Sequence, residues 1–360
     1  MKICFIAPAD NYHTRKWCTW FQSKGHMVDV ISFTNAIIEN VNVHWIDSGV
    51  DVQESDGKKI KYLLQFIKVN KLVKEIKPDI VNVHYATSYG TVVALSGIKK
   101  YVLSVWGSDI YQFPQKSIFH KMMLKYSLRK ATYLFSTSNA MAKEGRKYTN
   151  KPFEITPFGV DMDLFSPKKR NREEDGNFVV GTIKTLAPKY GIDYLLKAVS
   201  IVRHENLNIP IQLRIAGKGL CEDEYKQLAD QLEIADITTW LGFVSQEQAA
   251  QEWSNMDLAI IYSSAEAFGV SAVEAQACEV PVIISDVPGL MEATALGCSS
   301  MVVPRMNERA LADAILVMYN DEQKRSMFGK NGRKYVKEKY EFDFCFRKIE
   351  QLFCNIIDNS

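Results

Sequence analysis

Short apolar runs and amphipathic stretches alternate along almost the whole chain. In the first half, apolar runs at 2–7, 28–33, 80–84, 102–106 and 133–136 have strand length and read as strands. Between them, 15–24 reads as a helix closed by Gly25, and 117–130 as another. Residues 61–76 place Leu63, Leu64, Phe66, Ile67, Leu72, Val73 and Ile76 at helical spacing among lysines, and Pro78 stops the run. The pattern restarts at residue 178. Strands are predicted at 178–183, 212–216, 238–241, 258–262, 282–285 and 300–303, with helices at 193–203, 222–232, 246–254, 270–278 and 307–319. Strand–helix–strand alternation of this kind predicts parallel sheets with crossover helices. The polar stretch 166–177, SPKKRNREEDGN, separates the two series and is the natural linker. Two doubly wound domains facing each other would place a ligand cleft between their strand ends.

Composition narrows the picture only a little. The chain has 360 residues, 47% of them apolar and 24% charged, enough for two buried cores. Seven scattered cysteines, an odd number without CxxC spacing, argue against a disulfide framework or a zinc site and for a reducing cytosol. Neither a secretory leader nor a run long enough to span a membrane is evident. Charge is uneven: residues 1–166 hold 22 basic and 14 acidic side chains, whereas 167–360 hold 22 and 28. A basic first half beside an acidic second half suggests that the first half meets something anionic.

The sharpest segment is 266–274, EAFGVSAVE. A strand ends near Tyr262, a small polar turn containing Ser263 follows, and Gly269 opens a helix. The first amides of a helix lack intrahelical partners and sit at the positive end of its dipole. A diphosphate is stabilised there, and a glycine lets backbone and ligand come close. Glu266 would lie at the helix mouth and Glu274 about one turn further in, each able to accept hydrogen bonds from sugar hydroxyls. Glu274 is flanked by Val273, Ala275 and Ala277 on a helix that reads as buried, and a buried acid needs partners.

With these residues, the chain resembles the glycosyltransferases of family 4, which have the GT-B fold. The likeness continues through Ala277-Cys278-Glu279-Val280-Pro281, Gly289-Leu290-Met291-Glu292, Gly181-Thr182-Ile183-Lys184, Lys189-Tyr190-Gly191, Ala216-Gly217-Lys218-Gly219 and Leu241-Gly242-Phe243-Val244. In the first half it includes Gly25-His26, Trp106-Gly107-Ser108-Asp109 and Phe158-Gly159-Val160-Asp161. The resemblance implies two Rossmann-like domains around a cleft. Residues 1–166 would bind the acceptor, 167–177 link, 178–338 bind a nucleotide sugar, and 339–360 form a helix crossing back to the first domain.

It also implies roles. Glu274 would hold the donor ribose and Glu266 the hydroxyls of the transferred sugar. Phe268, Gly269 and Val270 would offer backbone amides, and Lys184 and Lys189 would neutralise the diphosphate as its charge grows. Gly217, Gly242, Phe243, Val244 and Ser263 complete the donor side. Three departures stand out. Tyr190 directly precedes Gly191 in the lysine loop, Glu279 occupies a position where glycine is usual, and the glycine-rich loop after the first strand is replaced by residues 10–16. Donor contacts from the first domain would then come from Asn11, His13 and Thr14. Asp109 and His13 are the candidates there for positioning an acceptor, each with a plainer reading: a strand-end cap for Asp109, a polar loop residue for His13. His84, at a strand end, is open to both structural and functional readings.

The family retains anomeric configuration, and the implied scheme is same-face attack with the departing phosphate oxygen taking the proton. No metal or other cofactor is expected beyond the nucleoside-diphosphate sugar itself, and no nucleic-acid partner. The acceptor would be a saccharide or a lipid-linked saccharide, in capsule, exopolysaccharide or O-antigen assembly. Residues 116–130 carry Lys116, His120, Lys121, Lys125, Arg129 and Lys130 without an acid, interleaved with Phe119, Met122, Met123, Tyr126 and Leu128. They read either as a sheet-covering helix with solvated lysines or as a surface for the anionic inner face of the plasma membrane. The competing functions are a nucleotide-sugar epimerase of the same fold and a silent nucleotide-sugar-binding scaffold.

Overall fold

The computed structural model describes residues 1–49, 60–170 and 176–359, so 171–175 of the linker lie outside the described residues. The chain forms two compact units, Met1–Phe158 with Cys345–Ser360, and Gly159–Phe344.

The first unit is built on seven strands: β1 (Lys2–Ile6), β2 (Met27–Ser32), β3 (Asn42–Trp45), β4 (Ile80–His84), β5 (Val102–Val105), β6 (Tyr133–Ser136) and β7 (Phe153–Ile155). They pair in the order β3-β2-β1-β4-β5-β6-β7, every pair parallel. Strands such as β4 and β5, buried along their whole length, need the continuous apolar runs seen in the sequence. β3 escapes that signal because it is a partly exposed edge strand of mixed polarity. The helix Ser88–Ser96 escapes for the opposite reason: it is buried nearly all round and shows no amphipathic period. The helix expected over 61–76 is two, Ile60–Leu63 and Phe66–Ile76. Tight turns from Leu64 N–H to Lys61 and from Gln65 N–H to Tyr62 interrupt it. The turn keeps Tyr62 buried while Leu64 and Ile67 face out.

From Cys345 on, the helix Phe342–Asp358 belongs to the first unit. Phe346 packs on Trp17 and Trp20, Phe353 stacks on Phe21 and Phe135, and Glu350 meets His26 at 2.5 Å.

The second unit has six parallel strands, β8 (Phe178–Ile183), β9 (Ile211–Ala216), β10 (Thr238–Gly242), β11 (Leu258–Ile261), β12 (Val282–Ser285) and β13 (Ser300–Val303). Their order is β10-β9-β8-β11-β12-β13. In each sheet the order reverses once, between β1 and β4 and between β8 and β11. Crevices at the carboxyl ends of strands open at such reversals.

The helix Val270–Ala277 ends in a Schellman motif: Val280 N–H bonds Ala275, and Glu279 N–H bonds Gln276. The residue at the turn must be left-handed, and Glu279 has φ of 60° there. This is the physical content of the missing glycine, since a side chain in that region costs about 1–2 kcal/mol. Glu279→Gly is expected to raise unfolding stability by about 1 kcal/mol, measured by urea denaturation. A loss of stability would show that the glutamate's own contacts outweigh the strain.

Candidate active site

At the β8/β11 reversal, the chain leaves β11, turns through Tyr262–Glu266 and enters the helix Val270–Ala277. Gly269 precedes that helix with φ of 90°, and a Cβ on it would lie 2.6 Å from the Leu290 side chain. Behind the loop, a Cβ on Gly289 would fall 2.2 Å from the Glu266 carbonyl oxygen. The Gly289-Leu290 motif is therefore the backing that presses the loop into shape. Ser271 Oγ donates to the Ile183 carbonyl at 3.0 Å, tying the helix start to the end of β8. The first helical bonds to Gly269 come from Ala272 and Val273. The amides of Val270 and Ser271 thus point out of the helix mouth without a helical acceptor.

Glu266 and Lys184 meet in front of that mouth. Lys184 Nζ lies 2.7 Å from Glu266 Oε2, and Ser263 Oγ donates to the same oxygen at 3.2 Å. Both side chains of the ion pair are largely buried, 9% exposed for Lys184 and 16% for Glu266. Burial alone would raise the Glu266 carboxyl; Lys184, with Lys189 and Ser263, more than offsets it and holds the group below its ordinary value. Lys184 and Lys189 flank the Tyr190 ring, their Nζ atoms 5.0 Å and 4.6 Å from its centroid. Ser264 binds the Lys189 carbonyl through both its N–H and its hydroxyl, so the lysine loop and the glutamate loop form one piece. Glu274 is buried inside the helix, and with burial its charge raises the Cys278 thiol. Phe268 is buried with its ring edge-on to Tyr340, leaving only its backbone for a ligand.

Other expected donor contacts are placed differently. The Gly217 N–H bonds the Gly242 carbonyl at 2.7 Å and so is already used. A Cβ on Gly217 would stand 1.8 Å from the Lys184 carbonyl oxygen, so this glycine lets the ends of β8 and β9 close up. Phe243 is exposed and Val244 half-buried, just beyond β10.

In the first unit, Asn11 caps the helix Tyr12–Ser23, its Oδ1 accepting from the His13 and Thr14 amides. That oxygen is occupied by the fold. Thr14 is fully buried, and its Oγ1 has no hydrogen-bond partner among the described residues. Asp109 is buried too, its carboxylate accepting the amides of Ala86, Trp106 and Gly107 at 2.8–3.2 Å. Burial raises its pKa against those donors. It clamps two strand-end loops together, so the strand-end cap is the reading its geometry supports.

His13 lies flat on Phe158, ring centroids 3.9 Å apart, with its edge toward Trp106. His84 bonds Asn82 Oδ1 through Nε2 at 2.8 Å and packs among Phe5, Trp17 and Trp106. Burial pushes both imidazoles down to about 3. Both are neutral at physiological pH and have Nδ1 without a hydrogen-bond partner among the described residues.

Sequence reasoning missed Tyr190 as the partner of two lysines, Ser271 as the helix tie, and Tyr85, which lines a cavity of about 1020 Å³ in the first unit. The cavity lies over the β1/β4 reversal, among Asp10, Thr34, Tyr85, Tyr89, Phe113 and Met123. The aromatic spacing around Tyr190 was readable; the cavity depends on packing between distant segments. Among the described residues no three of His, Cys, Asp and Glu come together as a metal site requires.

Residues 2–138 match the family model Glycosyl transferase 4-like, and residues 165–335 match Glycosyl transferases group 1. An uncharacterized glycosyltransferase of Methanocaldococcus jannaschii is 24% identical over 303 residues, 83% of this chain and 82% of that one. The capsular polysaccharide biosynthesis glycosyltransferase CapM of Staphylococcus aureus is 25% identical over 208 residues, 56% of this chain; the match spans 54% of CapM. The crystal structure of Anabaena HepE in complex with UDP and glucose has the same fold, with a TM-score of 0.83 at 18% identity, covering 99% of this chain and 100% of that one.

His84 is fully buried and His13 half-buried. Below about pH 6.5 the unfolded chain takes up protons that folded His13 and His84 refuse until near pH 3. Their contribution is therefore intact above that range and is lost as pH falls. Each adds up to about 1.4 kcal/mol per pH unit to the slope. In urea denaturation between pH 6 and 4.5, His84→Gln is expected to flatten the slope by that amount; an unchanged slope would show that His84 is not held neutral.

Proposed function

Because the chain belongs to the GT4-type glycosyltransferases and has the GT-B fold, we propose that it transfers a hexose from a nucleoside-diphosphate sugar to a saccharide acceptor carried on a lipid, with retention of anomeric configuration. The observation that carries this reading is the Lys184–Glu266 pair in front of the glycine-opened helix. A donor can exchange partners with it. Sugar hydroxyls bond Glu266, while the diphosphate takes Lys184, Lys189 and the amides of residues 268–270. As the glycosidic bond to phosphate breaks, negative charge grows on the leaving oxygens, where those cations and the helix dipole stabilise it. Glu274 holds the ribose, so it is not free to attack the sugar; the acceptor hydroxyl attacks from the leaving-group side and gives its proton to the departing phosphate. In this scheme the positive charge comes from lysines and amides, and no metal ion takes a step. HepE was crystallised with UDP and glucose, and CapM serves capsular polysaccharide biosynthesis. Both agree with a nucleotide-sugar donor and a polysaccharide-assembly role.

Thermal shift with UDP, GDP and ADP tests the donor side. One nucleotide at 100 times its dissociation constant is expected to stabilise the protein by about 2.7 kcal/mol. Glu274→Gln should abolish that shift, while Glu266→Gln keeps it and lowers transfer about 10²–10³-fold. No shift with any of the three contradicts the reading.

We place the enzyme peripherally on the inner face of the plasma membrane. The helix Ile118–Lys130 buries Leu124, Ser127 and Leu128 and turns outward Ile118, Phe119 and Met122 beside Lys121 and Lys125. An exposed apolar strip edged with lysines suits an anionic bilayer surface. Among the described residues no helix is long and apolar enough to cross a membrane. Co-sedimentation with phosphatidylglycerol vesicles is expected to fall sharply when Lys116, Lys121, Lys125, Arg129 and Lys130 are replaced by Gln; undiminished binding would remove the membrane from the account.

A further inference from the structure

Within the cavity of the first unit lies a backbone anomaly. Tyr85, the first residue after β4, has φ of 69°, a left-handed conformation that bulky side chains rarely adopt. The turn is held from both sides. The Tyr85 N–H donates to the Ser104 carbonyl at 3.0 Å, and the Tyr85 carbonyl accepts from Gly90 N–H at 2.9 Å. A Cβ on Gly90 would stand 2.7 Å from that carbonyl oxygen, so the helix Ser88–Ser96 is pressed directly onto the turn. Strained residues over-determined by their surroundings cluster at ligand sites.

The turn brings the phenol into the cavity wall at the β1/β4 reversal. The ring stands edge-on to Trp106 at 5.0 Å between centroids. The residue is half-buried in that wall. Asp10, which accepts from Thr34 Oγ1 at 2.7 Å, lines the same wall. Tyr62 and Tyr89 stack on Phe33 to form an aromatic wall beside it. Phe113, Phe119 and Met123 line the cavity from the far segment, and Phe119 is itself part of the exposed apolar strip.

We infer that Tyr85 is the residue with which this enzyme reads its acceptor, and that the acceptor presents a neutral sugar ring to Tyr85 and Asp10 and an apolar carrier to Phe113, Phe119 and Met123. The inference rests on the transfer reading above and specifies its acceptor. A sugar offers an apolar C–H face to an aromatic ring and hydroxyls to the phenol and the carboxylate. An anionic group beside Tyr85 would face Asp10 and be repelled, whereas Lys116 and His120 line the cavity on the segment of Phe113 and Phe119, the carrier end. The apolar end gains affinity from buried area alone.

The test uses octyl β-glucoside, below its micelle-forming concentration, and octyl phosphate, which share a tail and differ in the head. Binding is followed by calorimetry on the full chain and on Tyr85→Asn and Tyr85→Phe; asparagine tolerates the left-handed turn. The wild type is expected to bind the glucoside at least about tenfold more tightly than the phosphate. Tyr85→Asn should weaken glucoside binding about tenfold and leave octyl phosphate unchanged, with Tyr85→Phe in between. Equal binding of the two probes, no saturable glucoside binding, or an unaffected Tyr85→Asn variant overturns the inference. The melting shift with nucleotide is measured in parallel. If it is absent while the glucoside results hold, the transfer reading fails and the cavity remains a glycolipid site.

Discussion

A lysine and a glutamate brought together out of water, in front of a helix whose first amides have no helical acceptor, is the constraint on which the second unit is organised. An ion pair this buried gives up much of its hydration, and Lys184, with Lys189 and Ser263, offsets that cost for the Glu266 carboxylate. A ligand that parts Lys184 from Glu266 must therefore supply a partner to each. A nucleotide sugar offers both at once: anionic oxygens for the lysine and amides, hydroxyls for the carboxylate. The surrounding contacts keep the pair in place rather than contribute chemistry. Ser263 holds the shared oxygen, Ser264 fastens the lysine loop, Ser271 fastens the helix, and Gly289 lets a neighbouring helix press on the loop from behind.

The same economy explains the glycines. At Gly217 and Gly269 a side chain would collide with the Lys184 carbonyl or with Leu290, so the loops could not converge. Glu279 shows the opposite case, a glycine position filled by a glutamate that the Schellman turn forces into left-handed space. The first unit stores strain of the same kind at Tyr85, beside a cavity. There the two imidazoles are held neutral by burial, and Asp109 is spent on three amides. Neither imidazole is placed as a titrating acid or base near neutral pH.

Much of this was legible in the sequence. Strands buried along their length announce themselves as apolar runs, so nearly every core strand and the two-sheet plan could be read. The edge strand Asn42–Trp45 and the buried helix Ser88–Ser96 could not, because one mixes polar with apolar residues and the other lacks a polar face. The segment around Glu266 and Glu274 was readable because a short stretch of chain builds the helix mouth. Asn11 and Asp109 were harder: polar residues near a strand end cap backbone as readily as they bind ligands, and only the hydrogen bonds tell the two apart. Tyr85 left no mark at all, since its significance lies in a φ angle imposed by Gly90 and Ser104 from other segments.

A crystal structure of the protein with its nucleoside diphosphate tests the central claim most directly. The account predicts phosphate oxygens within hydrogen-bond distance of the Gly269 and Val270 amides and of Lys184 Nζ, with the ribose hydroxyls on Glu274. A nucleotide bound elsewhere, with Lys184 and Glu266 still paired and the helix mouth unoccupied, would contradict it.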